Sequence, residues 1–225
     1  MFRWGRASVA YALVALGALA VGHGFDRGSL FQYREPWLPL SGVEAHAFSS
    51  LLGAAFAGAV VVGTRALVES TSWAKALHRD LRPMTEGLDA AGIAVIAALS
   101  SLAEELVFRG LLMPWLGTWG VWLQAVLFGL AHAQLSGPSR WVWVAWASVV
   151  GLVLGAMFGL TGSLLGPLLA HALVNGLNLL YLQSHDTAPP RNSLGGLLSD
   201  RRSPVPEPRP GVGDRRSPLP AGRRA

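Results

Sequence analysis

Ala103-Glu104-Glu105-Leu106-Val107-Phe108-Arg109 puts two acids and a base inside sequence that is otherwise oily. Two more polar patches follow, Phe128-Gly129-Leu130-Ala131-His132 and His171-Ala172-Leu173-Val174-Asn175. Between Glu105 and His171 the only formal charges are Arg109 and Arg140. Ionisable groups are costly at membrane depth and mark functional sites there by default. The three patches are therefore expected to converge on one site.

The surrounding composition supports a membrane setting. Charged residues make up 14% of the 225, where a soluble domain carries roughly 25%. With no cysteine, disulfides, thiolate catalysis and cysteine-based zinc sites are excluded. The net charge of +5 is a property of the tail, because 8 of the 18 basic residues lie in 191–225. It does not point to nucleic acid as a partner.

The expected architecture is all-α and polytopic, with about six transmembrane helices and a disordered C-terminal tail. Residues 1–89 hold two N-terminal spans, Ala7–Phe25 and Ala47–Thr64, and a charged loop from Arg65 to Asp89. The first span is long and lacks a small-x-small cleavage site, so it is expected to be retained. Pro36, Trp37 and Pro39 mark an interfacial connector, and residues before Pro83 suit a short surface helix.

Residues 90–182 hold the core. A third span starts near Ala90, and a fourth runs from Gly120 to Leu135. Trp141 to Ser184 is 44 residues without Asp, Glu, Lys or Arg, enough for two spans broken around Gly162 and Pro167. Gly151, Gly155 and Gly159, four residues apart, form a close-packing face. Residues 183–225 are rich in Pro, Arg, Ser and Gly and cannot bury a core.

With six spans both termini share a side. That side carries fifteen lysines and arginines against two opposite, or seven against two without the tail. The positive-inside rule then puts both termini in the cytoplasm, and the short loops suit an inner-membrane protein. The tryptophans near helix ends read as an aromatic belt.

Within the first patch, Glu105 and Arg109 are spaced i, i+4 with the acid first, the favourable order for an ion pair. Glu104 lies about 100° further round the helix and is free to act as general base on a water. The plain alternative is that both acids share Arg109 and only lock helices together. Phe128 and His132 share a helical face, and a histidine there is often only satisfied by a carbonyl. His171 and Asn175, also i, i+4, could stabilise an oxyanion or simply bond neighbouring helices. Gln124 and Asn178 read as interhelical hydrogen bonders. His23, His46, His78 and His185 carry no functional signal. No HExxH sequence occurs, so the usual helical zinc-protease motif is absent.

Glu-Glu-x-x-x-Arg (104–109), Phe-x-x-x-His (128–132) and His-x-x-x-Asn (171–175), in that order, resemble the CPBP family. These are the CAAX prenyl endopeptidases and their bacterial relatives, also called Abi or type II CAAX proteases. The likeness covers Ala90 to Leu182, about two-fifths of the chain. It implies an intramembrane endopeptidase acting on a membrane-associated protein or peptide. By the same likeness Glu104 would activate the water with help from His132. His171 and Asn175 would hold the oxyanion, and Glu105 and Arg109 would support the site. It leaves open both a metal-free glutamate mechanism and a divalent metal such as zinc, with Glu104, His132 and His171 as ligands. Two rivals stand beside it. One is a non-enzymatic membrane scaffold or bacteriocin-immunity factor with the same fold. The other is a proton-coupled transporter, against which the lack of an internal repeat counts.

Overall fold

The computed structural model describes residues 3–25, 28–134 and 136–187. The tail expected to be disordered lies, from residue 188 onward, outside the described residues. Among the described residues eight α-helices run in chain order: α1 (Arg3–Gly24), α2 (Gly42–Ser70), α3 (Ser72–Leu81), α4 (Ala90–Glu105), α5 (Met113–Trp115), α6 (Gly120–Ala131), α7 (Ser139–Thr161) and α8 (Leu165–Ser184). Five helical stretches are long and apolar enough to cross a membrane, and Gly117–Ala131 forms a shorter apolar one. Leu13, Leu16, Leu51, Val62 and Val149 are all more than half exposed. An outer surface of that kind fits hydrocarbon rather than water.

Local chemistry explains where the helices begin. The Ser41 N–H donates to the Glu44 carboxylate at 3.1 Å, at the start of α2. The Thr71 hydroxyl accepts from Ala74 N–H as the cap of α3. Asp89 Oδ1 accepts from Gly92 N–H at 2.7 Å and opens α4. Side-chain acceptors at these positions satisfy amides that the first turn leaves unpaired. α3 gives way at Arg82 to a 3-10 turn that holds Pro83, so the short surface helix is where the charge pattern puts it.

Three features differ from the sequence expectation. α6 ends at Ala131, so its 12 residues rise only about 18 Å, too little for a ~30 Å hydrocarbon core. It stops at the depth of the site, and His132 caps it. The connector before α2 is docked rather than lying loose at the interface. Tyr33 N–H donates to Gly162 O and Trp37 N–H to Gly159 O, both at 2.9 Å, while Leu164 N–H donates to Phe31 O at 3.0 Å. Gly162 has φ +73° and tucks beneath Pro36, so a side chain there would be both strained and obstructed. Finally, Ser184 to Thr187 lie against the α3 side. His78 Nε2 bonds to His185 O at 2.9 Å, and Arg82 pairs with Asp186 at 2.8 Å.

α8 packs closely on α2, α4 and α7, and α6 lies along α7. The glycine face of α7 is used in turn. Phe128 covers Gly151, Gln124 covers Gly155 and Trp37 covers Gly159. α2 and α8 cross where Gly53 meets the backbone of Gly166. Ser49 Oγ donates to Ser163 O at 2.9 Å there and accepts from Gly166 N–H at 3.0 Å. A side chain at 53 would push into backbone. Gly53→Leu is therefore expected to destabilise the fold by about 3 kcal/mol, seen as a lowered thermal unfolding midpoint in detergent.

Candidate active site

α4 carries Ser100 and Glu104, and the turn after it Phe108, along one wall of a cavity of about 570 Å³. Directly after Glu105 the helix widens into a π-segment, Leu106–Leu112, whose last turn closes with Met113 N–H on Phe108 O. Such widened turns are rare and recur at functional sites.

The two adjacent acids part company as their helical phases dictate. Glu105 and Arg109 are completely buried and pair at 2.8 Å. Arg109 Nη2 donates to Gly151 O at 3.1 Å, and Gln124 donates to the same carbonyl at 3.0 Å. The Arg109 guanidinium also lies 4.5 Å from the Phe128 ring centroid, a cation–π contact strengthened by desolvation. Glu104 points the other way, keeps 19% of its side chain exposed, and lines the cavity. Its Oε2 receives no hydrogen bond from the protein.

Both histidines of the motifs face that oxygen. His132 Nδ1 is 2.7 Å from Phe128 O. A carbonyl can only accept, so Nδ1 carries a proton, and a neutral ring presents a bare lone pair at Nε2. His171 Nδ1 is 2.8 Å from Glu105 Oε1. The carboxylate already paired with Arg109 accepts there too, and His171 Nε2 is left in the same state. The two Nε2 atoms lie 3.8 Å and 3.7 Å from Glu104 Oε2. Those separations exceed a direct hydrogen bond. Three acceptors thus converge on one small volume. Phe128 fixes both rings, with centroids 4.6 Å from His132 and 5.6 Å from His171.

Asn175 lines the cavity and its Nδ2 reaches Ser100 Oγ at 3.4 Å. His171, 4% exposed, sits behind Glu104 with its proton committed to Glu105. The i, i+4 pair therefore does not present two donors together, and only the Asn175 amide faces the open space. Asn178 bonds Thr64 at 3.2 Å, and Gln124 bonds Gly151 O, the bridging roles read for both from sequence.

The donor types suit a divalent ion, with one carboxylate oxygen and two imidazole nitrogens whose outer nitrogens are held by second partners. Among the described residues, however, no three such groups stand at metal-holding spacing.

Sequence reading missed three residues at the cavity. Trp143 and Trp146 line it, with Trp143 edge-on to His132 at 5.6 Å. Their place near a helix end gave no hint of this. Tyr11 of α1 also faces the cavity, and nothing in its apolar run singles it out.

Comparison with known proteins agrees with the motifs. Residues 86–177 match the family model described as type II CAAX prenyl endopeptidase, Rce1-like, a segment that holds all three patches. The chain is also similar to the uncharacterized protein YpbD of Bacillus subtilis (strain 168), with 28% identity over 85 residues. That alignment covers 38% of this chain and 42% of the relative, so the chain spans less than half of the relative's length. No solved structure matches.

Proposed function

We propose, from the Rce1-like core of residues 86–177, that this multi-pass membrane protein is an endopeptidase hydrolysing a peptide bond of a membrane-associated protein or peptide. One observation carries the reading: the unpartnered Glu104 Oε2 faced by two imidazole lone pairs. Three acceptors with no hydrogen among them repel one another, and a water donating into them relieves the repulsion. Held there, the water has its protons directed at Glu104 and a histidine, and its oxygen lone pair directed out toward the cavity.

Glu104 takes a proton as the water oxygen attacks the scissile carbonyl carbon. The carbonyl π pair moves onto oxygen, and the Asn175 amide stabilises the resulting oxyanion. On collapse Glu104 returns the proton to the leaving nitrogen. His132, its ring locked by Phe128, holds the water. Arg109, Glu105 and His171 form a buried chain that fixes the second lone pair.

Both termini lie in the cytoplasm in this reading, and the site opens toward α3 on that side of the membrane. The basic residues gather on that face. The test compares membrane proteomes of cells carrying the wild-type chain or Glu104→Gln at matched expression. One or a few proteins persisting as longer precursors in the mutant are expected. Identical proteomes, with both chains stably inserted, would favour a non-enzymatic scaffold.

A further inference from the structure

The catalytic scheme leaves the oxyanion short of donors. Hydrolytic sites commonly direct two or more donors at that oxygen, whereas here the histidine and serine protons near Glu104 are already committed. His132 Nδ1–H is held by Phe128 O and His171 Nδ1–H by Glu105. Ser100 Oγ–H points to Ala97 O at 3.4 Å. The Asn175 amide is one donor on the α8 wall. The opposite wall is α1, which packs against α4.

On α1 the side chain of Tyr11 occupies the corresponding place. Its ring packs on a cluster that includes Ala15, Ala103 and Leu106, so it is held beside the turn that bears Glu104. It lines the cavity together with Glu104 and Asn175. A phenol keeps its proton at neutral pH and donates a hydrogen bond without being charged. α1 lies wholly outside the segment that matches the family model.

We infer that Tyr11 is a catalytic residue of this chain, donating its phenolic hydrogen bond to the oxyanion from the side opposite Asn175. This rests on the endopeptidase reading above. The phenol keeps its proton throughout the cycle. It stabilises charge that exists only after water attacks, and the proton that reaches the leaving nitrogen is still the one Glu104 removed from water. Because the interaction strengthens in the transition state, its loss affects turnover rather than substrate binding.

The test uses the full chain in lipid vesicles with the precursor that separates wild type from Glu104→Gln. Tyr11→Phe is expected to lower kcat about 100-fold, with KM within about twofold and the unfolding midpoint unchanged. Fluorotyrosine at position 11, a more acidic phenol of nearly the same shape, should restore turnover and move the alkaline limb of the pH–rate profile downward. A structural role would not produce that shift. If Glu104→Gln blocks cleavage while Tyr11→Phe cleaves at the wild-type rate, or if fluorotyrosine leaves the limb unmoved, Tyr11 is not the donor and the endopeptidase reading stands. If no precursor separates wild type from Glu104→Gln, that reading fails and this inference falls with it.

Discussion

Glu104→Gln is expected to reduce turnover about a thousand-fold, the scale of a lost general base, while leaving the fold at least as stable as wild type. The amide has the shape of the carboxylate but cannot accept the proton of the attacking water. It can, however, donate. Its N–H groups face the two Nε2 atoms that oppose Glu104 Oε2 at 3.8 Å and 3.7 Å, so a repulsive arrangement becomes an attractive one. Such an exchange of activity for stability is common where a site keeps groups unsatisfied. The measurements are kcat on the identified precursor and the unfolding midpoint in detergent. Unchanged turnover would remove Glu104 from the chemistry. Lost turnover with a collapsed midpoint would make it a structural residue.

The second large effect is on stability. Arg109→Leu is expected to destabilise the protein by about 3–5 kcal/mol, because it strands a buried charge. Glu105 is fully buried and has Arg109 as its cationic partner at 2.8 Å, and the guanidinium also holds Gly151 O and stacks on Phe128. Removing both charges, as Glu105→Gln with Arg109→Met, should recover most of the lost stability. Activity should not return, because His171 then loses the carboxylate that fixes its tautomer. Chemical unfolding of the three proteins in one detergent gives the comparison. A single variant as stable as wild type would show that the pair contributes little.

Much of this was legible from residue types and spacing. The i, i+4 order of Glu105 and Arg109 favoured Glu105 as the paired acid, while leaving open that both acids share Arg109. The glycine spacing of α7 was enough to predict a tight helix contact. The cost of polar groups in an apolar chain was enough to make three distant patches converge. What was not legible depends on tertiary direction. Nothing in His171-x-x-x-Asn175 says that the histidine turns back to Glu105 while the asparagine faces the cavity, since helical phase fixes the face but not the partner. The early end of α6 was hidden because Ala131 to Leu135 holds no helix breaker, the first being Gly137 and Pro138. Trp143 and Trp146 were hidden because a tryptophan near a helix end fits both lipid headgroups and a cavity wall. Tyr11 was hidden because its neighbours in sequence are all lipid-facing or small.

The π-segment at Leu106–Leu112 also bears on how tolerant this wall of the site is to changes in length. A widened turn holds one residue more than an α-turn, so a single deletion there can be absorbed by reverting to ordinary helix. Such a deletion would leave Met113 and Trp115 near their present direction relative to Glu104, where a uniform helix would turn them by about 100°, and it would keep the two acids in register with α8. The segment acts as a slip joint. Upstream of it the helix is indexed to the histidines, and downstream it is indexed to the loop and α6. Insertions and deletions that would scramble a uniform helix could therefore accumulate on the far side without disturbing the reacting groups.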